Sequence, residues 1–569
     1  MNDLIVPGLT SSHDWPDLKE DKTVIRLLET AVLPPYINGC RWFAGKARQQ
    51  DHFAIRVIHE IPLPGEAGGK AYLLIVGVRY ADGETENYQL PLAFIPDRSG
   101  PSGEEIPPKG IIAPAAFGGQ SGQLVDGIYF EPFRLALFEG LAGQHTLPQE
   151  AGQLVFHRGK GLAEEDGEGP VLNRVLPVDS SNSALVFGPG ATETRPGGEK
   201  YFMKLYRKLF QETNPEVDMV SFLTETGHFA HIPAYAGSLV WHRDAAGPEQ
   251  RPEITLGMMQ LMVENQKDSW ALTGDYLNDF LYAVPNRMFS VREDVFDMVE
   301  LLGKRSGQMH LALYKPEAGP AFAPEPFSEE YREFMIRRVE NLLERRYNLL
   351  IDNYTKLEPL AQRLAWVFME AKEMIDAFID DFRKRPLKSA RIRIHGDYHL
   401  GQVLATGQDF IIIDFEGEPE SSIAERKIKH SPLKDVAGMI RSYHYAVCAK
   451  LFNSRETEGI EPDHLQRVSD RWFKLIRDTY MDAYLDVFGN PHPLFGDSSE
   501  VNFLLLVYLL EKAVYELGYE ISYRPAWVNI PLKGIVDVIR EIEKIRSGDP
   551  NADENISPLP MGLLQTKKE

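Results

Sequence analysis

Between residues 391 and 419 the stretch "RIRIHGDYHLGQVLATGQDFIIIDFEGEP" sets three aspartates, two histidines and two glutamines among apolar, strand-like residues. The turn residues "ATGQD" separate Val403-Leu404 from the run Phe410 to Ile413. Pairing of these runs predicts a hairpin that returns Gln402 to the side of Asp414. Asp397 lies five residues before Gln402 on the same loop. A carboxylate, an amide oxygen and a second carboxylate then line one small volume. Hard cations such as Mg2+ take oxygen ligands of this kind and leave coordination places for phosphate. The order matches a phosphoryl-transfer pattern, His-Arg-Asp-x-x-x-x-Asn followed by Asp-Phe-Gly. Here it reads His395-Gly396-Asp397, Gln402 in the Asn place, then Asp414-Phe415-Glu416.

That chemistry also needs a lysine on a strand, an acid on the following helix and a loop over the phosphates. "YFMKLYRK" supplies Lys204 among aromatic and apolar neighbours, while Arg207 and Lys208 read as surface charges. In the helix that opens at Asn214-Pro215, Glu216 reads as a first-turn acid suited to the helix dipole. Asp218 is the expected partner of Lys204, with Glu225 as substitute. No glycine-rich loop precedes Lys204, and Ser180, Ser181, Asn182 and Ser183 offer hydroxyl, amide and backbone donors instead. "MMQLMV", with Gln260 and Met262, is the expected hinge beside an adenine base.

A chain of 569 residues divides into more than one core. Strand signals with an Asp82-Gly83 hairpin fill residues 1 to 143 and end in the helical pattern "IYFEPFRLALFEGLAG". Residues 144 to 263 read as a small sheet with one helix, and residues 264 to 569 as mostly helical. The segments around 97–110 and 189–199 read as insertions. The formal charge of -22 repels nucleic-acid backbones and anionic membranes, so neither is an expected partner. A nucleotide would need a locally positive or metal-loaded pocket. With two cysteines, Cys40 and Cys448, no export signal and no apolar run near the ~20 residues of a membrane span, a cytoplasmic protein with two buried thiols is expected.

These residues resemble the maltokinase family of aminoglycoside-phosphotransferase-like kinases. The resemblance rests on "CRWFAGKAR", "SSNSALVFG", "NPEVDMVSFLTE", "IHGDYHLGQVL", "IIDFEGEP", "SPLKDVAGMIRS" and "EKAVYELGYEISYRPAWVNIPLKGI". It implies an α+β, bilobal protein-kinase-like fold with an N-terminal cap subdomain (1–143), an intermediate nucleotide-binding subdomain (144–263) and a catalytic helical lobe (264–569). It also implies transfer of the ATP γ-phosphate to the anomeric hydroxyl of maltose. Asp397 would orient the hydroxyl and accept its proton, Gln402 and Asp414 would hold Mg2+, and His399 and Glu416 would contact substrate. Trehalose synthase and a maltosyltransferase are the implied pathway partners. The family's helix acid is usually Glu, which leaves Asp218 one methylene short.

Sugars bind to hydrogen-bonding groups around aromatic faces. Glu511, Tyr515 and Tyr519 recur at i, i+4 and i+8, beside Lys512 and Glu516, and Arg524 and Trp527 follow. With the resemblance, Glu511, Lys512, Tyr515, Tyr519 and Arg441 become expected substrate contacts, and Asp435 an expected brace of the catalytic loop. Trp42, Lys46 and Arg48 are expected to fix the cap to its neighbour. The alternatives are a kinase of the same fold acting on another sugar such as glucosamine, a non-catalytic sugar or nucleotide sensor, and a metal-dependent hydrolase. The hydrolase would leave Lys204 and its strand-helix-strand section unexplained.

Overall fold

The computed structural model describes residues 7–65, 69–97, 105–167, 171–177, 181–191, 197–244, 253–264, 267–284, 289, 291–453, 461–489 and 491–547. Of the two apparent insertions, residues 98–104 and 192–196 lie outside the described residues, as does Ser180. The chain forms two compact units, Met1–Thr226 with Pro233–Val263, and Gly227–Ile232 with Glu264–Glu569.

The first unit carries two seven-stranded sheets. One runs in the order Leu9–Ser11, Ile111–Phe117, Gln120–Asp126, Thr85–Pro96, Lys70–Tyr80, Gln50–Pro62, and the short strand Lys208–Leu209 also pairs with Thr85–Pro96. Successive strand residues point to opposite faces, so Tyr72, Leu74, Val76 and Val78 share one face. They join a single core with Val24, Leu28, Leu33 and Ile37 from the N-terminal helical segment. The expected hairpin is present: Arg79 pairs with Thr85, and the turn closes through Gly83.

The second sheet runs Thr146–Gln149, Gly152–Arg158, Tyr235–His242, Glu253–Leu261, Tyr201–Leu205, Ser183–Pro189, Val171–Leu176. Lys204 sits on an interior strand, flanked by Ala184 on one side and Met258 on the other. The segment after it ties the two sheets together. Gln89 donates its backbone N–H to the Arg207 carbonyl at 2.8 Å, and its side-chain amide to the carbonyls of Tyr206 and Leu256.

The second unit is mainly helical, with long helices Glu293–Leu313, Glu329–Asn353, Leu433–Asn453, Pro462–Asp486, Ser498–Tyr523 and Asn529–Ser547. Over "LEPLAQ…DDFRKR" the structure has two helices, Pro359–Glu370 and Lys372–Lys384, joined at Ala371 with ψ 2°. The second of these buries Phe378 and Phe382 against Phe503. The expected short hairpin forms, with Val403 opposite Ile412 and Ala405 opposite Phe410. It is completed from far back in the chain: the Ile412 N–H donates to the His231 carbonyl at 2.8 Å, and His231 Nδ1 lies 3.7 Å from Asp409. No helix among the described residues is long and apolar enough to cross a membrane. Cys448 is buried as expected, whereas Cys40 is only partly so.

Candidate active site

In the first unit, Lys204 Nζ lies 2.7 Å from Glu216, whose other carboxylate oxygen accepts from the Tyr206 hydroxyl at 2.9 Å. Glu216 is 0% exposed. This corrects the choice of Asp218. Residues two apart on a helix point about 200° away from each other, so the face carrying Glu216 cannot also carry Asp218. Asn214 caps the helix by accepting the Glu216 N–H at 2.8 Å, which fixes that first turn and with it the carboxylate. A first-turn acid serves the helix dipole and the lysine together; the sequence reading saw only the dipole. Glu225, the substitute, lies at the far end of the helix and meets the Lys160 N–H at 3.4 Å. Glu216→Gln keeps the tyrosine bond but removes the charge facing Lys204. It is expected to cost about 1–3 kcal/mol of stability, measured by urea unfolding.

Ser181 is exposed, Asn182 half-buried and Ser183 buried. The Ser183 hydroxyl accepts from Arg207 Nε at 2.7 Å, so this oxygen serves the fold. Arg207 overturns its reading as a surface charge. It is 0% exposed, donates to Asp126 at 2.6 Å and lies over the Trp42 ring at 4.9 Å. Trp42 therefore does meet the second sheet's side of the unit, whereas Arg48 binds Asp82 and Glu84 within its own section. Gln260 is buried on its strand, and the Met262 N–H donates to the Lys200 carbonyl at 2.8 Å.

In the second unit the loop around Asp397 is built on one buried carboxylate. Asp435 accepts the backbone N–H groups of His395 at 2.7 Å and Gly396 at 2.9 Å, and faces His310 Nε2 at 3.1 Å. Burial opposes its charge, but His310, His395 and the Gly396 N–H together hold its pKa below the usual carboxylate range. His395 donates from Nε2 to the Ile413 carbonyl at 2.9 Å and so joins the loop to the hairpin. Two glycines permit the shape. Gly396 has φ +87°, and a Cβ on Gly438 would meet the Tyr398 carbonyl oxygen at 2.6 Å, so the loop lies directly on the helix Leu433–Asn453.

The hairpin brings Gln402 and Asp414 together, with the glutamine amide donating to Asp414 at 2.9 Å. Asp414 has φ +67°, uncommon for a residue with a side chain and found where a site requires it. Turning the Gln402 amide by half a revolution presents oxygen in place of nitrogen, so the pair fits a hard cation. His399 lies 3.9 Å from Asp397 and accepts the Gly401 N–H at 3.1 Å; burial holds its imidazole below the ordinary range. Glu416 is half-buried on the next turn, and its carbonyl accepts from Arg426.

A cavity of about 510 Å³ opens at this loop, lined by Gly396, Glu418, Lys434, Glu511, Lys512 and Tyr515 among others. Lys512 Nζ is 3.3 Å from Asp397 Oδ1. Burial disfavours its ammonium, but Asp397, Glu516 and Glu418 outweigh that and raise its pKa. Glu511 reaches the cavity but is held by Arg338 at 2.9 Å and Lys434 at 3.5 Å, which makes it a support for two cations. Four expected substrate residues are not in that lining: His399 and Glu416, placed above, and Arg441 and Tyr519. Arg441 is 3% exposed and bound to Glu516 at 2.7 Å, while Tyr519 is 41% exposed, against Tyr523 and under Arg524. Neither lines the cavity. Arg441 misled because an arginine on a helix beside the loop reads equally as ligand or strut. The sequence reading missed the opposite wall, the helix Glu329–Asn353 with Arg337, Arg338, Arg345 and Arg346. Its signal was visible as "IRRVENLLERR", arginine pairs eight residues apart on one face.

Glu418 is gripped by this wall, 2.7 Å from Arg338. Burial pushes its pKa up, but Lys434, Arg338 and Lys512 reverse that and bring it to about 2. A depressed carboxyl pKa stabilises the fold above the unfolded value, near 4.3, and that contribution disappears as the pH falls through about 4 toward 2. Glu418→Gln is therefore expected to flatten the stability profile over this window, read as the urea midpoint against pH.

The model of the maltokinase N-terminal cap domain matches residues 36–125. The chain is 25% identical over 407 residues to a glucosamine kinase of Streptacidiphilus jiangxiensis, covering 71% of this chain and 80% of that one. It is also 25% identical over 365 residues to a glucosamine kinase of Mycolicibacterium smegmatis, covering 63% and 77%. A glucosamine kinase solved in complex with glucosamine, ADP and inorganic phosphate has a TM-score of 0.58 at 16% identity, covering 89% of this chain and 98% of that one. A second crystal form of a glucosamine kinase gives 0.58 at 17% identity, covering 91% and 99%.

Proposed function

We propose that this chain, a sugar phosphotransferase with a maltokinase N-terminal cap on the bilobal aminoglycoside-phosphotransferase-like fold, phosphorylates maltose at its anomeric hydroxyl at the expense of ATP. The observation that carries the reading is Asp397, held by the Asp435-braced loop at the edge of a cavity and faced by Lys512 at 3.3 Å. In this reading Asp397 accepts a hydrogen bond from the acceptor hydroxyl, orients its oxygen and takes its proton as that oxygen bonds to the γ-phosphorus and the bond from the γ-phosphorus to the β–γ bridging oxygen breaks, releasing ADP. Lys512 stays cationic and faces Asp397 before the transfer. Lys204, positioned by Glu216, holds the donor phosphates, and Gln402 and Asp414 would hold Mg2+, which when bound would supply positive charge against the donor phosphates.

The second reading is a glucosamine acceptor, favoured by the names of the relatives. The charge pattern supports the neutral sugar. An ammonium acceptor needs a carboxylate that is not already matched, and Glu418 and Glu511 are both tied to Arg338. Glu420, beside Tyr515, and Glu425, bound to Ser422, are the lining acids that would have to serve. Purified protein with Mg-ATP is expected to convert maltose to a product heavier by one phosphoryl group in a sugar panel read by mass. Turnover of glucosamine without maltose, abolished by Glu420→Gln, would replace the first reading with the second. No turnover with any sugar would sink both. In the first reading, maltose supply by trehalose synthase and use by a maltosyltransferase complete the route.

A further inference from the structure

The first unit contains a second cavity of about 430 Å³, within the range of small-ligand pockets, whose lining includes Trp42, Asn182, Ser183 and Arg207 but not Lys204, Glu216, Gln260 or Met262. Among the described residues its walls hold Lys109 and Arg207 against one carboxylate, Asp126. In a chain of net charge -22 that local excess stands against the surrounding field and favours an anion. Arg207 is completely buried, and after its bonds to Ser183 and Asp126 its remaining nitrogen, Nη1, has no hydrogen-bond partner. A buried guanidinium N–H left in this state is destabilising unless something accepts it. Around the cations stand the rings of Tyr36, Trp42 and Tyr129, the kind of platform that takes a sugar face.

We infer that this cavity binds a small phosphorylated sugar, its phosphate held by Arg207 and Lys109 and its ring laid against the aromatic wall. Lys109 is exposed, so changing it leaves the core intact, and its ammonium lies 6.0 Å from the Tyr129 ring. The test is calorimetric titration of the full chain with glucose 1-phosphate, inorganic phosphate, glucose and AMP. Glucose 1-phosphate is expected to bind more tightly than any of the other three. Lys109→Glu should weaken it at least tenfold, while Lys512→Ala, in the other cavity, should leave it within twofold. Because Arg207→Lys can unfold the unit, its melting temperature is measured alongside; a folded variant is expected to lose binding as Lys109→Glu does. Unchanged affinity in Lys109→Glu overturns the assignment, as does loss in Lys512→Ala. Tighter binding of AMP or of phosphate alone overturns the sugar phosphate as ligand. The result is independent of the acceptor panel, so either reading can fail alone.

Discussion

Asp397→Asn is expected to lower sugar phosphorylation by about 10²–10⁴-fold, the range for removing a positioned general base, while unfolding stays close to that of the parent chain. The loop's shape does not depend on the Asp397 carboxylate, because Asp435, His395 and Gly396 hold it through other groups. Asparagine is nearly isosteric and keeps an oxygen toward Lys512, so binding of the acceptor should change little. The loss should therefore fall on kcat and not on KM. Initial rates with Mg-ATP and maltose, beside a urea titration, separate these outcomes. Retention of even a tenth of the rate would remove Asp397 from its assigned role.

Asp435→Ala is expected to be damaging for the opposite reason. Asp435 lines the cavity, but its two oxygens are taken up by the N–H groups of His395 and Gly396 and the ring of His310 at 2 % exposure. Removing it strands three buried polar groups, and a loss of about 3–5 kcal/mol is the expected scale for breaking such a buried charge network. Turnover should fall with it, since Gly396 carries Asp397. Asp435→Asn keeps one acceptor and should fall between the two. A variant with alanine that unfolds at the parent urea midpoint would show that the loop is held by its neighbours instead.

The elements that position the site were largely legible because they announce themselves locally. The Val403/Phe410 hairpin has alternating apolar residues and a turn, and Lys204 stands out as a charge in an aromatic strand. What was not legible is partnership at a distance. Glu216 and Asp218 differ in one methylene and two positions, and only the helix's rotational setting against Lys204 decides between them. Arg207 looks like any basic residue after a strand, and its burial depends on Asp126, 81 residues earlier. The arginine wall of Glu329–Asn353 and Glu418 meet across 80 residues. Pattern within a window of a dozen residues carries no record of such pairings.

The six residues Gly227–Ile232 have a practical consequence for dissecting the molecule. Because His231 supplies an acceptor to Ile412 and a neighbour to Asp409, a gene fragment begun at Glu264 would lack a strut of its own hairpin. A fragment ended at Val263 would carry that strut as dangling chain. Expression of either half by a single cut is therefore a poor route to autonomous pieces, and the two have to be exchanged between homologues as an interleaved pair of segments.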